Sequence, residues 1–464
     1  MFKADVYSKR RNALRKLMGN GLIVLLGNNE APSNYPDNAY HFRQDSCFLY
    51  FFGHNLAGLA AVIDLDNGED YLIGDNFSMD DIIWMGLQPS IQDLAQQIGA
   101  SRSIDKKQFA TLLKEAQSRG RKIHYLPPYR FDNKLYLEEL LGIKATELNE
   151  HKSVELIKAI VSLRLVKEDI EIEEMEHACD IGYQMHTTAM RMCKPNVLEQ
   201  HIAGTIEGIA LAQGSGVSFA TILTQHGETM HNHIHDKFLE NGKLMLTDAG
   251  AEANSNYCSD FTRTIPVGGK YSSRQKDIYS IVVGCHDHTV EIARPGIPWL
   301  NVHNTICKQM VEGLKNLGLM KGDTDDAVAA GAQYLFMPHG LGHAIGLDVH
   351  DMEDIGQEYV GYDEEFRPSK QFGLSSLRMG KRLREGFVMS DEPGCYFIPA
   401  LIDKWKAEKI NTAFLNFNAI EKFKDFGGIR LEDDILITKE GARFLGHKHI
   451  PISIDEVEDF MSKQ

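Results

Sequence analysis

The sequence predicts an α+β protein in two domains: a smaller α/β domain over residues 1–160 and a larger one over 161–464. Three observations lead there. The 464-residue chain exceeds the size at which one hydrophobic core stops growing. In the first third, apolar runs of strand length alternate with amphipathic stretches and turns rich in Asn, Asp, Pro and Gly. In the remainder, long helical patterns are interleaved with apolar runs that begin or end at single acidic residues.

Val6–Met18 reads as an amphipathic helix, and GLIVLLG after it (21–27) as a buried strand. Leu59–Asp64 and Tyr71–Gly74 have the same strand character. From about Leu148 to Lys167 the pattern turns helical, and LRLVKEDIEIEEMEHACDIGYQMHTTAMRM continues it. The boundary near residue 160 is therefore expected inside a helix rather than in a Gly/Ser linker. Further helices are expected over roughly 168–192, 198–213, 273–293 and 301–317, with antiparallel strands between them.

Composition excludes some functions. At net charge −16, with no Lys/Arg-rich run, the chain is not built for nucleic acid or an anionic membrane. The apolar run at 21–27 is far too short to span a bilayer, and the charged N-terminal stretch has no leader-like apolar segment. Seven cysteines without a CxxC pair argue against a disulfide framework or a structural zinc site. A cytoplasmic location is the expectation.

Five residues in the larger domain are of the kinds that hold two metal ions: Asp248, Asp260, His343, Glu392 and Glu432. Four carboxylates and one imidazole carry about four negative charges, which two divalent cations would cancel. Asp248 closes the apolar run KLMLT just before a Gly-containing turn, and Glu392 precedes Pro393-Gly394. In YCSDFTRT the period of two puts Cys258, Asp260, Thr262 and Thr264 on one face, and in GGIRLEDD it groups Arg430, Glu432 and Asp434. An isolated Asp at a strand end is usually a turn or cap residue; the joint pattern is what points to a site.

His339, His343 and His350 lie in PHGLGHAIGLDVHD, which is not a zinc-binding HExxH helix because Gly340 stands where the glutamate would be. One of the three can ligate metal while the others serve as acid, base or hydrogen-bond donor. In QHGETMHNHIHD, spacing favours a solvated turn over a metal tract for His226, His233 and His235.

Taken in order, DAGAE…YCSDFTRT, HGLGHAIGLDVHD, DEPGCYF and GGIRLEDD resemble the motifs of the pita-bread metallopeptidases, the group of methionine aminopeptidase, aminopeptidase P and prolidase. NAYHFRQDSCFLYFFG resembles the creatinase-like N-terminal domain of aminopeptidase P and prolidase. The resemblance implies a curved, mainly antiparallel sheet with helices outside. It implies that Asp248 chelates one metal, that Asp260 and Glu432 bridge the pair, and that His343 and Glu392 bind the other. A water or hydroxide between the metals would attack, with Glu392 taking its proton. His231, His339 and His350 match substrate histidines that bind the scissile carbonyl. Oxygen-dominated ligation suits Mn²⁺, with Co²⁺ or Zn²⁺ as substitutes.

The activity implied is hydrolysis of an N-terminal Xaa-Pro bond in small peptides, as an Xaa-Pro aminopeptidase. The alternative is an Xaa-Pro dipeptidase, because the segment around Arg378 resembles the prolidase stretch whose arginine grips a dipeptide carboxylate. Arg378 and Arg430 join the substrate-binding candidates. Trp84 resembles an aminopeptidase P residue that reaches a neighbouring subunit's site, and analogy suggests a homodimer or homotetramer. A binding module without catalysis is the remote alternative, disfavoured because all five ligand positions are filled. One departure stands out: Asp260 follows Asp248 by twelve positions, one more than the family pattern, so an extra residue must be absorbed in the AEANSNY turn.

Overall fold

In the computed structural model, which describes residues 1–463, the chain divides between Arg164 and Leu165. The first unit is Met1–Arg164 together with Met352–Tyr359, and the second is Leu165–Asp351 with the chain from Val360 onward. The return of Met352–Tyr359 to the first unit leaves no trace in the sequence pattern.

The first unit is built on a mixed sheet of β1 (Leu22–Leu26), β2 (Ala60–Asp64), β3 (Asp70–Ile73), β4 (Arg102–Ile104) and β5 (Ile123–Tyr125). Their spatial order is β4-β3-β2-β1-β5. Val24 of β1 lies opposite Val62 of antiparallel β2 and Tyr125 of parallel β5, and β1 is an apolar run, LIVLL, buried along nearly its whole length as an interior strand should be. Helices α1 (Ala4–Leu17), α2 (Ser46–Phe52), α3 (Met79–Met85), α4 (Ile91–Gln97), α5 (Lys106–Ser118), α6 (Phe131–Leu141) and α7 (Val154–Arg164) complete the unit. Phe109 and Leu113 of α5 and Leu137 of α6 pack with Leu22, Val62 and Ile73 in one core. Each such side chain contributes about 1.5–3 kcal/mol by leaving water. A capping box between Asp105 and Gln108 starts α5. Arg11 of α1 is fully buried yet satisfied by Asp70 Oδ2 at 2.7 Å and the carbonyls of Phe51 and Ile98 at 2.8 and 2.9 Å. Removing one partner of such a pair costs about 3–5 kcal/mol.

The second unit opens with α8 (Asp169–Met192) and α9 (Glu199–Gln213). The continuous helix expected across 148–192 is broken at 165–168, so the linker is not helical. The reason is tertiary. The Lys167 amide donates to the Gly386 carbonyl at 2.8 Å, and its ammonium reaches Asp351 Oδ2 at 2.8 Å with both side chains buried. These bonds outweigh local helix propensity, and a capping box of Glu168 and Glu171 restarts the helix.

Strands β6 (Gly216–Val217), β7 (Ile222–Thr224), β8 (Leu244–Asp248), β9 (Ala251–Glu252) and β10 (Thr262–Pro266) follow. Then come helices α10 (Ser273–Ile292) and α11 (Trp299–Asn316). Strands β11 (Val388–Asp391), β12 (Gly394–Tyr396), β13 (Gly428–Arg430), β14 (Asp433–Ile437) and β15 (Ala442–Phe444) complete the set. They form antiparallel groups β10-β8-β7, β11-β14-β15, β12-β13 and β6-β9. A Thr262–Glu432 bridge, with amide-to-carbonyl distances of 3.2 and 3.0 Å, joins the first group to the segment between β13 and β14. Among the described residues no helix is long and apolar enough to cross a membrane.

The chain between Asp248 and Asp260 makes a tight turn. Glu252 bridges Cys258, the Ala253 amide bonds the Tyr257 carbonyl at 2.9 Å, and Asn256 takes a positive φ of 67°. Beyond that turn Thr262 still stands opposite Asp248.

Candidate metal centre

Asp248 ends β8, Glu392 lies one residue past β11, and Glu432 lies between β13 and β14. Asp260 sits just before β10, its amide donating to Asp434 Oδ2 at 3.1 Å. His343 lies in the Gly-rich loop, where the close approach of Gly342 to the Ser390 carbonyl leaves no room for a Cβ. The two segments are stitched by the Ser390 amide to the His343 carbonyl at 2.9 Å and the His343 amide to Ser390 Oγ at 3.0 Å.

Ligand atoms of Asp260, His343 and Glu432 all fall within 4.8 Å of one another, and all three residues are buried. Two atoms each about 2.1 Å from one ion are at most about 4.2 Å apart, so small movements would close this cluster around a cation. His343 Nε2 also lies 3.7 Å from Glu392 Oε1. Its Nδ1–H donates to the Ala344 carbonyl at 3.2 Å, which leaves Nε2 as a bare lone pair aimed at Asp260 Oδ2, 3.5 Å away. The orienting partner of this histidine is thus a backbone carbonyl.

The fit to cations rests on the acids themselves. Buried Asp248 Oδ1 and Asp260 Oδ1 accept no hydrogen bond among the described residues, a costly arrangement unless a cation takes those lone pairs. Burial, and then the charges of Glu432 and Asp248, push the Asp260 carboxyl well above its ordinary range. Burial followed by Glu392 and Asp248 does the same to Glu432. Burial lifts Glu392 to about 7, against the pull of Arg430 and Arg378. Burial also drives His343 well below its usual value, keeping it neutral and ligand-ready. The donor set therefore fits two divalent cations.

The other predicted residues surround this cluster. His339 Nδ1 is 3.7 Å from Glu392 Oε2, and burial followed by Arg430 lowers the ring to about 3, so it is neutral. Its Nδ1–H donates to the Gly340 carbonyl at 2.7 Å and its Nε2 accepts from the Tyr396 hydroxyl at 3.0 Å. The His350 ring meets the His343 ring edge-on at 4.2 Å. His231 is exposed at the rim and lies within electrostatic reach of Asp248 and Arg430. Arg378 is half-buried, and its charge acts on Glu392, His339 and His343. His226, His233 and His235 bond Glu228, the Thr221 carbonyl and the Leu223 carbonyl, and the His233 ring stacks on that of His231 with centroids 6.5 Å apart.

Arg430, expected among the substrate-binding residues, stands beside the acids. Its guanidinium is buried in the wall, bonding Asp248 Oδ2, Thr262 Oγ1 at 3.1 Å and the Tyr396 hydroxyl at 2.8 Å. The sequence pattern gives Tyr396 no role and places Thr262 only on the face of Asp260. Thr262 Oγ1 donates to Glu432 Oε2 at 2.7 Å, and the shared face of YCSDFTRT was the signal for it.

A model of metallopeptidase family M24 matches residues 173–439, and one of the aminopeptidase P N-terminal domain matches residues 7–124. Human Xaa-Pro dipeptidase is 29% identical over 453 residues, covering 95% of this chain and 88% of that protein. A probable Xaa-Pro aminopeptidase of Fusarium vanettenii is 28% identical, covering 96% and 92%. Zn-substituted Escherichia coli aminopeptidase P in complex with product superposes with a TM-score of 0.80 at 26% identity, covering 100% and 99%. The expected fold, a pita-bread domain after a creatinase-like one, is the fold observed. With its catalytic-domain match spanning more than half its length, the chain belongs to metallopeptidase family M24.

Proposed function

We propose that this enzyme hydrolyses the bond between an N-terminal residue and a following proline in small peptides, as a dinuclear Xaa-Pro aminopeptidase. The observation that carries this is the buried convergence of Asp260, His343 and Glu432, with unpartnered oxygens on Asp248 and Asp260. Family membership and the relatives named for Xaa-Pro bonds support the proline preference. Asp248, Asp260, His343, Glu392 and Glu432 hold the ions, for which the oxygen-rich donor set favours Mn²⁺, with Co²⁺ or Zn²⁺ as substitutes. When bound, the cations polarise the scissile carbonyl and acidify the attacking water.

The chain's own groups do the rest. Glu392, whose carboxylate stands beside His343 and His339, takes the water's proton. His350 donates to the oxygen that gains charge, and His339, neutral and fixed by Gly340 and Tyr396, does so once its Nδ1–H leaves the Gly340 carbonyl. His231 meets the substrate from the rim.

Arg378 favours a second reading, an Xaa-Pro dipeptidase, because a cation near the site can hold the carboxylate of a two-residue substrate. Mn²⁺-reconstituted protein given Xaa-Pro dipeptides and Xaa-Pro-Xaa tripeptides separates the two. Cleavage of tripeptides supports the aminopeptidase, dipeptides alone support the second reading, and turnover of neither defeats both. We also place the enzyme in the cytoplasm, since its seven cysteines are free thiols. Assembly as a homodimer or homotetramer fits the outward-facing Ile83, Trp84 and Leu87, which are 70%, 86% and 85% exposed.

A further inference from the structure

Strands β11 and β14 place Asp391 directly opposite Asp433. Glu392 follows the first of these and Glu432 precedes the second, so two ligand candidates leave paired strands one residue from this pair. Side-chain alternation turns Asp391 and Asp433 away from the metal cluster, toward α10.

His286 of α10 meets them there. Fully buried, its Nε2–H donates to Asp433 Oδ2 at 2.9 Å, and its ring stacks on Phe444 with centroids 5.0 Å apart. Its Nδ1 lies 3.2 Å from Asp287 Oδ1. Arg263, also buried, grips both Asp433 oxygens at 2.9 and 3.0 Å and donates to the Glu432 carbonyl at 2.9 Å. Burial works against both charged partners. Arg263 and His286 nevertheless both donate to the Asp433 carboxylate. Asp391 faces the same helix, with His286 and Thr289 as its neighbours. A helix outside the sheet is thus tied by a charged hydrogen bond to the residue beside Glu432, and the strand pairing carries that tie to the residue beside Glu392.

We propose that His286 is a positioning residue for metal binding: it anchors Asp433 to α10 and, through the Asp391–Asp433 pairing, fixes the separation of the Glu392 and Glu432 carboxylates. Ligand spacing decides how well two cations are held, and outer partners of ligands typically change metal affinity by about 10–100-fold when lost. His286 lies outside the cluster of close ligand atoms formed by Asp260, His343 and Glu432. The inference rests on the reading that the acid cluster binds cations.

The test is Mn²⁺ titration by calorimetry of metal-stripped full-length protein: wild type, His286→Gln and His286→Phe. Gln keeps a donor near the position of Nε2, whereas Phe keeps the stacked ring and loses the donor. The expected result is affinity about 10–100-fold weaker for His286→Phe and within about threefold of wild type for His286→Gln. At saturating Mn²⁺ the His286→Phe turnover should largely recover, separating a loading defect from a chemical one. Equal affinity in all three proteins, or equal weakening in both variants, overturns the proposal. Asp433→Asn, identical in shape, is titrated alongside in case His286→Phe does not fold; unchanged affinity there is equally contrary. Wild type that binds no Mn²⁺ would instead defeat the underlying metallopeptidase reading.

Discussion

Arg430 is held against Asp248 inside the wall of the metal cluster, although the two residues stand 182 positions apart in the chain. The guanidinium spends its remaining donors on Thr262 and Tyr396, so one side chain ties an acid, its cross-strand neighbour and the support of His339 together. Lysine has one nitrogen and cannot make all three contacts. Arg430→Lys should therefore lower kcat at least about tenfold, and Arg430→Ala should remove about 3–5 kcal/mol of stability from metal-stripped protein. Denaturant unfolding and peptide turnover check both; an Arg430→Lys enzyme of wild-type kcat would contradict the tie.

Glu392 is assigned both a ligand position and the proton transfer. Glu392→Ala should abolish measurable turnover and weaken metal binding, read as Mn²⁺ retained after dialysis. Full metal retention with activity lost would restrict Glu392 to the proton.

His339 touches Glu392 and Tyr396 without belonging to the cluster of close ligand atoms. His339→Ala should keep the metal yet lose about 10²–10³ in kcat if its donation stabilises the developing oxyanion. Wild-type turnover in that variant removes His339 from the chemistry.

Raised carboxyl pKa values make a signed prediction for metal removal. In the metal-free fold Glu392, at about 7, and Asp260 and Glu432, both pushed well up, retain protons that the unfolded chain has already released. Stability from these groups is therefore lost as pH rises toward and beyond 7. Below pH ~6.5 the buried neutral His339 and His343 act in the opposite sense, so the informative window lies between about pH 6.5 and 8. The rise in Tm on adding Mn²⁺ should be larger at pH 8 than at pH 6.5. A shift independent of pH would mean that the cations do not displace these protons.

Much of the site could be read from the chain because its elements are local: period-two strands ending at Asp248 and Glu392, and a Gly-rich loop around His343. What stayed hidden depends on partners distant in sequence. The break at 165–168 exists because Lys167 bonds Asp351, 184 positions away, and no local propensity encodes that. Arg430 was grouped correctly with Glu432 by alternation, but its direction was set by Asp248 and Tyr396 on other strands. Nothing in the sequence pattern marks Asp433 or His286; the β11–β14 pairing is what puts Asp433 under α10.

The most direct measurement is anomalous diffraction at the manganese edge from crystals of the Mn²⁺-loaded protein. Two peaks about 3.5–4 Å apart, enclosed by Asp248, Asp260, His343, Glu392 and Glu432, are the predicted result. Density showing no cation among those five side chains would contradict the account.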